Sequence, residues 1–219
     1  MLKLLKNLIW ELIFPTSCLG CDRAGQLVCP RCYQGISITS DALPVALPYL
    51  RGVFVATSLN QKLVEKIIYQ FKYHLVKDLG LYLQQILTDF LSQKINNHYL
   101  LDIDLIIPVP LSKKKFLSRG FNQSDILARG VSAKFGWVVL SDAVYRRHCL
   151  KSQVDLGYRE RLKNVQGVFK VKERNLIRGK KILIIDDVLT TGSTVSELAK
   201  VLKQAGAREV WGLVLARNK

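Results

Sequence analysis

Short apolar runs alternate with longer amphipathic stretches along this chain. Residues 182–185 are all isoleucine or leucine between charged neighbours, the pattern of a strand buried on both faces of a parallel sheet. They predict a central strand. Further strand-like runs lie at residues 53–57, 105–107, 137–140, 143–147, 165–171 and 209–216. Helical spacing places Leu63, Ile67 and Phe71 on one face of residues 61–73, and Leu79, Leu83, Ile86, Leu87 and Phe90 on one face of residues 77–95. Ile126, Leu127 and Val131 mark another helix. Val195, Leu198, Ala199, Leu202 and Ala205 mark a further one, stopped by Gly206. Strands alternating with helices predict an α/β fold with a parallel sheet flanked by helices.

The pattern also marks an appendage. Leu5, Leu8, Ile9, Leu12 and Ile13 repeat at helical spacing opposite Lys3, Lys6, Asn7 and Glu11, and Pro15 closes the repeat. This predicts a short amphipathic helix packed on its own protein, with weak membrane or partner contact through Trp10 and the leucines as the alternative. Lys6, Asn7 and Glu11 interrupt the apolar run, and no small-residue cleavage site precedes Cys18, which argues against a signal peptide. Pro44 and Pro48 make residues 41–50 read as a linker. The expected division is therefore residues 1–49 as an N-terminal unit and residues 50–219 as the main domain. Residues 148–164 are polar and basic, without a sustained apolar face at their start, and read as a mobile lid whose helical end begins near Leu156.

Candidate chemistry gathers at the end of the central strand. The run stops at Asp186 and Asp187, and after Val188 and Leu189 come Thr190, Thr191, Gly192, Ser193 and Thr194 before a helix begins. Small hydroxyl residues and glycine at a helix N-terminus offer unpaired N–H groups and the positive end of the dipole to a phosphate. Carboxylates accept from vicinal sugar hydroxyls and can orient a Mg2+ shell. The implied ligand is a ribose 5-phosphate, with an ordinary strand–turn–helix carrying two surface acids as the bland alternative. Pro108, Val109, Pro110, Leu111 and Ser112 follow the strand at 105–107, and Lys113, Lys114, Lys115 and Arg119 come next. A stiff turn beside cations is the best second phosphate site, although a basic surface loop would look the same. Lys72 could reach a phosphate, with a solvated lysine as the default; His74 and His98 read as capping or surface residues.

Cys18-x2-Cys21 and Cys29-x2-Cys32, with Gly20 and Gly25 for tight turns, can wrap four thiolates around one structural Zn2+. A redox pair or inert core cysteines are the alternatives. Cys149 makes an odd fifth, read as an incidental or buried thiol. This usage argues against an extracellular disulfide framework and for a reducing, cytoplasmic setting. No stretch is long enough to span a bilayer. The net charge is +16, and residues 105–219 hold 23 Lys and Arg against 9 Asp and Glu, so +14 of it lies in the half carrying the phosphate signature.

The stretch IIDDVLTTGST resembles the signature of type I phosphoribosyltransferases, which bind phosphoribosyl pyrophosphate (PRPP). Together with the leading helix, the four cysteines, IIPVP at 106–110, RGFNQ at 119–123, residues 153–169 and LAR at 215–217, the chain resembles the ComF family over nearly its full length. That resemblance implies a phosphoribosyltransferase-like parallel sheet plus a small N-terminal helix and zinc ribbon. It implies PRPP held by Asp186, Asp187, Val188, Leu189, Thr190, Thr191, Gly192, Ser193 and Thr194, with Pro110, Leu111 and Arg119 at the pyrophosphate. Asp186, Asp187 and Arg119 would be the catalytic residues, Mg2+ would accompany PRPP, and residues near Gln153 to Arg161 would form the lid. No long hood follows the last strand to recognise a base. The resemblance implies a PRPP-binding protein supporting natural transformation, with single-stranded DNA and a competence helicase-like protein as partners. The alternative is an active transferase passing the phosphoribosyl group to an amine or base.

Overall fold

The computed structural model describes residues 16–39, 45–94, 100, 102–147 and 167–217. The expected leading helix, residues 41–44 of the linker, His98, Cys149, the lid with Gln153, Leu156 and Arg161, and the start of the 165–171 run lie outside them.

Five strands form one parallel sheet: β1 (Gly52–Ser58), β2 (Leu105–Pro108), β3 (Val138–Val139), β6 (Lys181–Leu189) and β7 (Glu209–Arg217), in the order β1-β7-β6-β2-β3. The central place expected for residues 182–185 is observed. Alternation along the strands feeds two cores. Leu183 and Ile185 join Phe54, Ile106 and Leu213 on one side of the sheet, while Ile182 and Ile184 join Val53, Ile107 and Val214 on the other.

The first side is covered by α2 (Lys62–Tyr73), α3 (Leu79–Lys94) and α5 (Gln123–Phe135), the second by α6 (Ser193–Gln204). In α2 the stripe Val64, Ile67, Ile68 and Phe71 is buried, as its spacing requires. A separate antiparallel pair, β4 (Val144–Arg146) and β5 (Phe169–Val171), lies outside the main sheet.

Residues 113–119, read from sequence as the cations of a second phosphate site with a basic surface loop as the alternative, form a helix, α4 (Lys113–Arg119). The Ser112 side chain accepts from Lys115 N at its start, and Gly120 at φ 71 ends it. No α4 residue is buried, so apolar periodicity had nothing to record. Asn122 caps α5 by accepting from Ser124 N at 3.1 Å and donates from Nδ2 to Val109 O at 3.1 Å, which ties the proline turn to that helix.

The cysteine segment carries one short helix, α1 (Pro30–Gln34). Its Val28 and Ile36 belong to the first core, Tyr33 Oη donates to Asp89 Oδ2 of α3 at 2.7 Å, and Lys66 Nζ of α2 donates to Leu19 O at 3.2 Å. Among the described residues no helix is long and apolar enough to cross a membrane.

Candidate functional site

The carboxyl ends of β6 and β2, the C-terminal turn of α2 and the start of α5 converge on two carboxylates. β6 runs past Asp186 and Asp187 to Leu189, further than the apolar run suggested. Leu189 is buried in the second core and Val188 packs against the first, so these two residues fix the path of the backbone rather than offer side chains.

Asp186 Oδ1 accepts from Ser124 Oγ at 2.9 Å and from the Asp187 N–H at 2.9 Å. Asp187 Oδ2 lies 3.0 Å from Lys72 Nζ, and both side chains of this pair are mostly enclosed, at 14% and 16% exposure. Burial of the Asp186 carboxyl, and then the neighbouring Asp187 charge, push its ionisation up to about 7 against the opposing pull of Ser124, the Asp187 amide and Lys72. Near neutral pH the pair thus carries less than its full formal charge.

After β6 the backbone turns through Thr190, Thr191 and Gly192 into α6. Gly192 takes φ 76, which calls for glycine, and a Cβ there would stand 2.6 Å from Leu47 Cδ1, so a larger residue would also have to displace the Leu47 side chain. Thr191 Oγ1 and Ser193 Oγ are 2.8 Å apart, and Ser193 N donates to Thr191 Oγ1 at 3.3 Å. Ser193 and Thr194 occupy the first turn of α6, where backbone N–H groups lack helical acceptors. The turn presents amides and hydroxyls together, the combination that suits a phosphate.

The second strand end supplies cations. Pro110 is buried and Leu111 half-buried behind α4. Arg119 donates from Nη1 to Gln123 Oε1 at 2.9 Å, and its guanidinium lies 5.5 Å over the Tyr73 ring. Gln123 is buried, and its Nε2 is the one buried side-chain polar atom among the described residues without a partner. Lys115 is exposed as a whole residue, but partial enclosure of its ammonium end, then the Arg119 and Arg146 charges, lower its ionisation, with Asp187 pulling the other way.

Asp186, Asp187 and the loop through Thr194 are contiguous, from the carboxyl end of β6 to the first turn of α6. Lys72 is not a solvated lysine. It stands one helical turn after buried Ile68 and two after Val64, and a cation on an apolar stripe was the available signal for an internal partner. Ser124 and Tyr73 were not singled out, and Gln123 entered only as part of RGFNQ; Ser124 and Gln123 stand at the capped start of α5, where polar residues are expected anyway.

The four cysteines form a second site. Their Sγ atoms all lie within 4.8 Å of one another, and Cys21 and Cys29 are 3.7 Å apart. Sulfurs about 2.3 Å from a shared tetrahedral ion stand about 3.8 Å apart, so the donors fit one metal ion. Cys18 Sγ accepts from Gly20 N at 3.5 Å and Cys29 N at 3.3 Å. Burial raises its ionisation, but the backbone donors of Cys29, Gly20 and Cys21 outweigh that and bring it down to about 6. A Cβ at Gly20 would stand 2.8 Å from Cys32 Sγ, so this knuckle closes only around glycine. The four thiols can hold a metal.

Residues 82–219 match the family described as a phosphoribosyl transferase domain. DNA utilization protein YhgH of Escherichia coli is 31% identical over 204 residues, covering 90% of this chain and 87% of that protein. Competence protein ComFC of Streptococcus pneumoniae is 28% identical over 207 residues, covering 91% of this chain and 87% of that protein. Among solved structures, the allosteric regulatory enzyme of purine biosynthesis gives a TM-score of 0.42 at 20% identity, covering 62% of this chain and about a quarter (26%) of its own. Matched in this way along most of its length, the chain belongs to the ComF family and is built on a phosphoribosyl transferase domain.

Proposed function

We propose that this protein binds PRPP with Mg2+ and serves natural transformation, the uptake and handling of single-stranded DNA. The observation that carries the reading is the paired carboxylate at the end of the central strand, followed at once by the hydroxyl-rich turn that opens α6. Ribose hydroxyls would donate to Asp186 and Asp187, and the 5-phosphate would take the amides and hydroxyls of Thr190, Thr191, Gly192, Ser193 and Thr194. Pro110, Leu111 and Arg119 would shape and neutralise the pyrophosphate site. Two carboxylates suit a hydrated hard cation, and Mg2+ would supply charge balance for the pyrophosphate. Homologues described as competence and DNA utilization proteins support the cellular role, with single-stranded DNA and a helicase-like protein as the partners it calls for.

Residues 1–49 are read as an accessory unit docked on a phosphoribosyltransferase-like domain of residues 50–219. Its four thiols would hold one structural Zn2+. Free rather than paired cysteines suit a reducing, cytoplasmic setting.

Turnover is the second reading, favoured by the ionisation of Asp186 near 7. A carboxyl poised there can take a proton from an attacking amine, while Arg119 and the α6 turn stabilise the departing pyrophosphate and the retained phosphate. The test is calorimetric titration of Mg2+ and PRPP into the purified protein. Binding that weakens in Asp186→Asn and Asp187→Asn supports the reading; a folded protein that gives no binding heat overturns it. Pyrophosphate release on addition of amines or bases then separates binder from transferase.

A further inference from the structure

Helix α2 shows two faces of different character. One is the buried stripe with Lys72 at its end. The other carries Lys62, Lys66, Tyr69 and Tyr73, all exposed. Their spacing of four, three and four residues keeps them on one line of the helix surface, over a rise of about 17 Å. Tyr69 and Tyr73 are 54% and 62% exposed, their ring centroids are 5.0 Å apart at 44°, and the His74 ring lies 5.5 Å from Tyr69. Large exposed rings clustered in this way are costly in water unless something covers them. Cations stand at both ends of the aromatic pair: Lys62 and Lys66 at its N-terminal end, with Lys66 donating to Leu19 O of the cysteine segment, and Arg119 over Tyr73 at the other.

Among the described residues neither Lys62, Lys66 nor Arg119 is paired with a carboxylate. Glu65 flanks the stripe and, with Asp22, Lys66 and Tyr69, lines a groove of about 380 Å3 beside the cysteine segment. Two largely exposed aromatic rings, with Arg119 already over one of them and lysines beyond the other, match unpaired bases on a phosphate backbone. Bases in a duplex are already stacked and offer no face to them.

We infer that this stripe of α2 is the seat of single-stranded DNA, with bases stacked on Tyr69 and Tyr73 and the backbone drawn by Lys62, Lys66 and Arg119. The inference rests on the DNA-handling role proposed above and gives it a place. The strand runs from the cysteine segment to the phosphate site and meets it at Arg119. DNA and the phosphate ligand therefore share one residue, and binding of each must alter the affinity of the other.

The experiment compares a labelled oligo(dT) 20-mer with an abasic strand of equal length and charge by fluorescence anisotropy at fixed salt. The native protein is expected to prefer oligo(dT). Tyr69→Ala should weaken oligo(dT) binding on the order of tenfold while leaving the abasic strand unchanged, because stacking is lost and charge is kept. Tyr69→Phe, which keeps the ring, should restore binding. Tyr69 is exposed, so the fold withstands these changes. Equal binding of the two strands by the native protein, or wild-type oligo(dT) binding by Tyr69→Ala, overturns the inference. Tighter binding of oligo(U) through the same tyrosine overturns its assignment to DNA. PRPP titration of the native protein is read separately: failure there removes the proposed loop ligand, and loss of oligo(dT) preference in Tyr69→Ala would still stand.

Discussion

The cysteine segment and the turn after β6 meet the same need by opposite means. Each gathers backbone N–H groups around an anion. In the first the anion belongs to the chain, for Gly20 N and Cys29 N both point to Cys18 Sγ. In the second the amides of the α6 start would take the anion proposed to come from solution. The supports differ accordingly. Residues 16–39 bury few side chains, chiefly Cys18, Val28, Cys29 and Ile36, so the contacts with α2 and α3 and the metal ion proposed for the four thiols would hold them. The β6 turn stands on Ile182, Leu183, Ile184 and Ile185, all at 0% exposure between two cores. On the proposed reading, a site that opens to solvent needs a frame that stands without its ligand, whereas a structural metal site would make the ligand part of the frame.

The sharpest way to break the contrast is to remove two thiols. Cys21→Ser with Cys32→Ser should release the metal and loosen residues 16–36, since metal binding is a large share of folding energy in so small a unit. Metal content by mass spectrometry should fall to zero, and hydrogen exchange should rise there while the sheet stays protected. Second in size, Asp187→Asn should weaken PRPP binding about 10- to 100-fold, the worth of a charged hydrogen bond, read by calorimetry without loss of fold. Third, Gly192→Ala meets Leu47 and a left-handed backbone. The backbone alone costs about 1–2 kcal/mol, and a lowered melting temperature with weaker PRPP binding should report it.

A fourth test uses pH. The native Asp186 ionisation lies near 7 against an ordinary value of 3.8, so between these limits the folded state binds more protons than the unfolded one. Its contribution to stability is therefore favourable at low pH and declines as pH rises through that window. Asp186→Asn, which keeps an acceptor for Ser124, should melt higher than the native protein at pH 8 and alike at pH 4. Equal melting at pH 8 would mean the carboxylate is not penalised there. The smallest effect belongs to the seam between the two regions. Tyr33→Phe removes the donor to Asp89 and should cost about 1 kcal/mol, seen as faster exchange in the cysteine segment alone.

Much of this frame was legible in the order of residues, and the reason is local. A buried parallel strand needs only a short apolar run, so β2, β6 and β7 stood out, and the acids and hydroxyls of the site follow β6 without a gap. α4 did not stand out because it buries nothing; only Ser112 and Gly120 betray it. The order of strands was not readable, since neighbours such as β1 and β7 are far apart in sequence. For the same reason Ser124 and Lys72 were missed as partners of Asp186 and Asp187; Ser124 and Asp186 stand 62 positions apart in the chain. Contiguous chemistry can be read along the chain, while chemistry completed by folding has to be seen.

Lys72 has one more consequence. Its ammonium reaches Asp187 on a flexible stem fixed to α2, so it acts as a tethered competitor at high effective concentration. Anything that seeks Asp187 enters by exchange rather than into an empty seat. A stray divalent ion has only its own attraction to offer and must outcompete that tether. A ligand that also engages the α6 turn would bring a second handhold, so on the proposed reading the resting ion pair would act as a threshold favouring bifunctional ligands over loose cations.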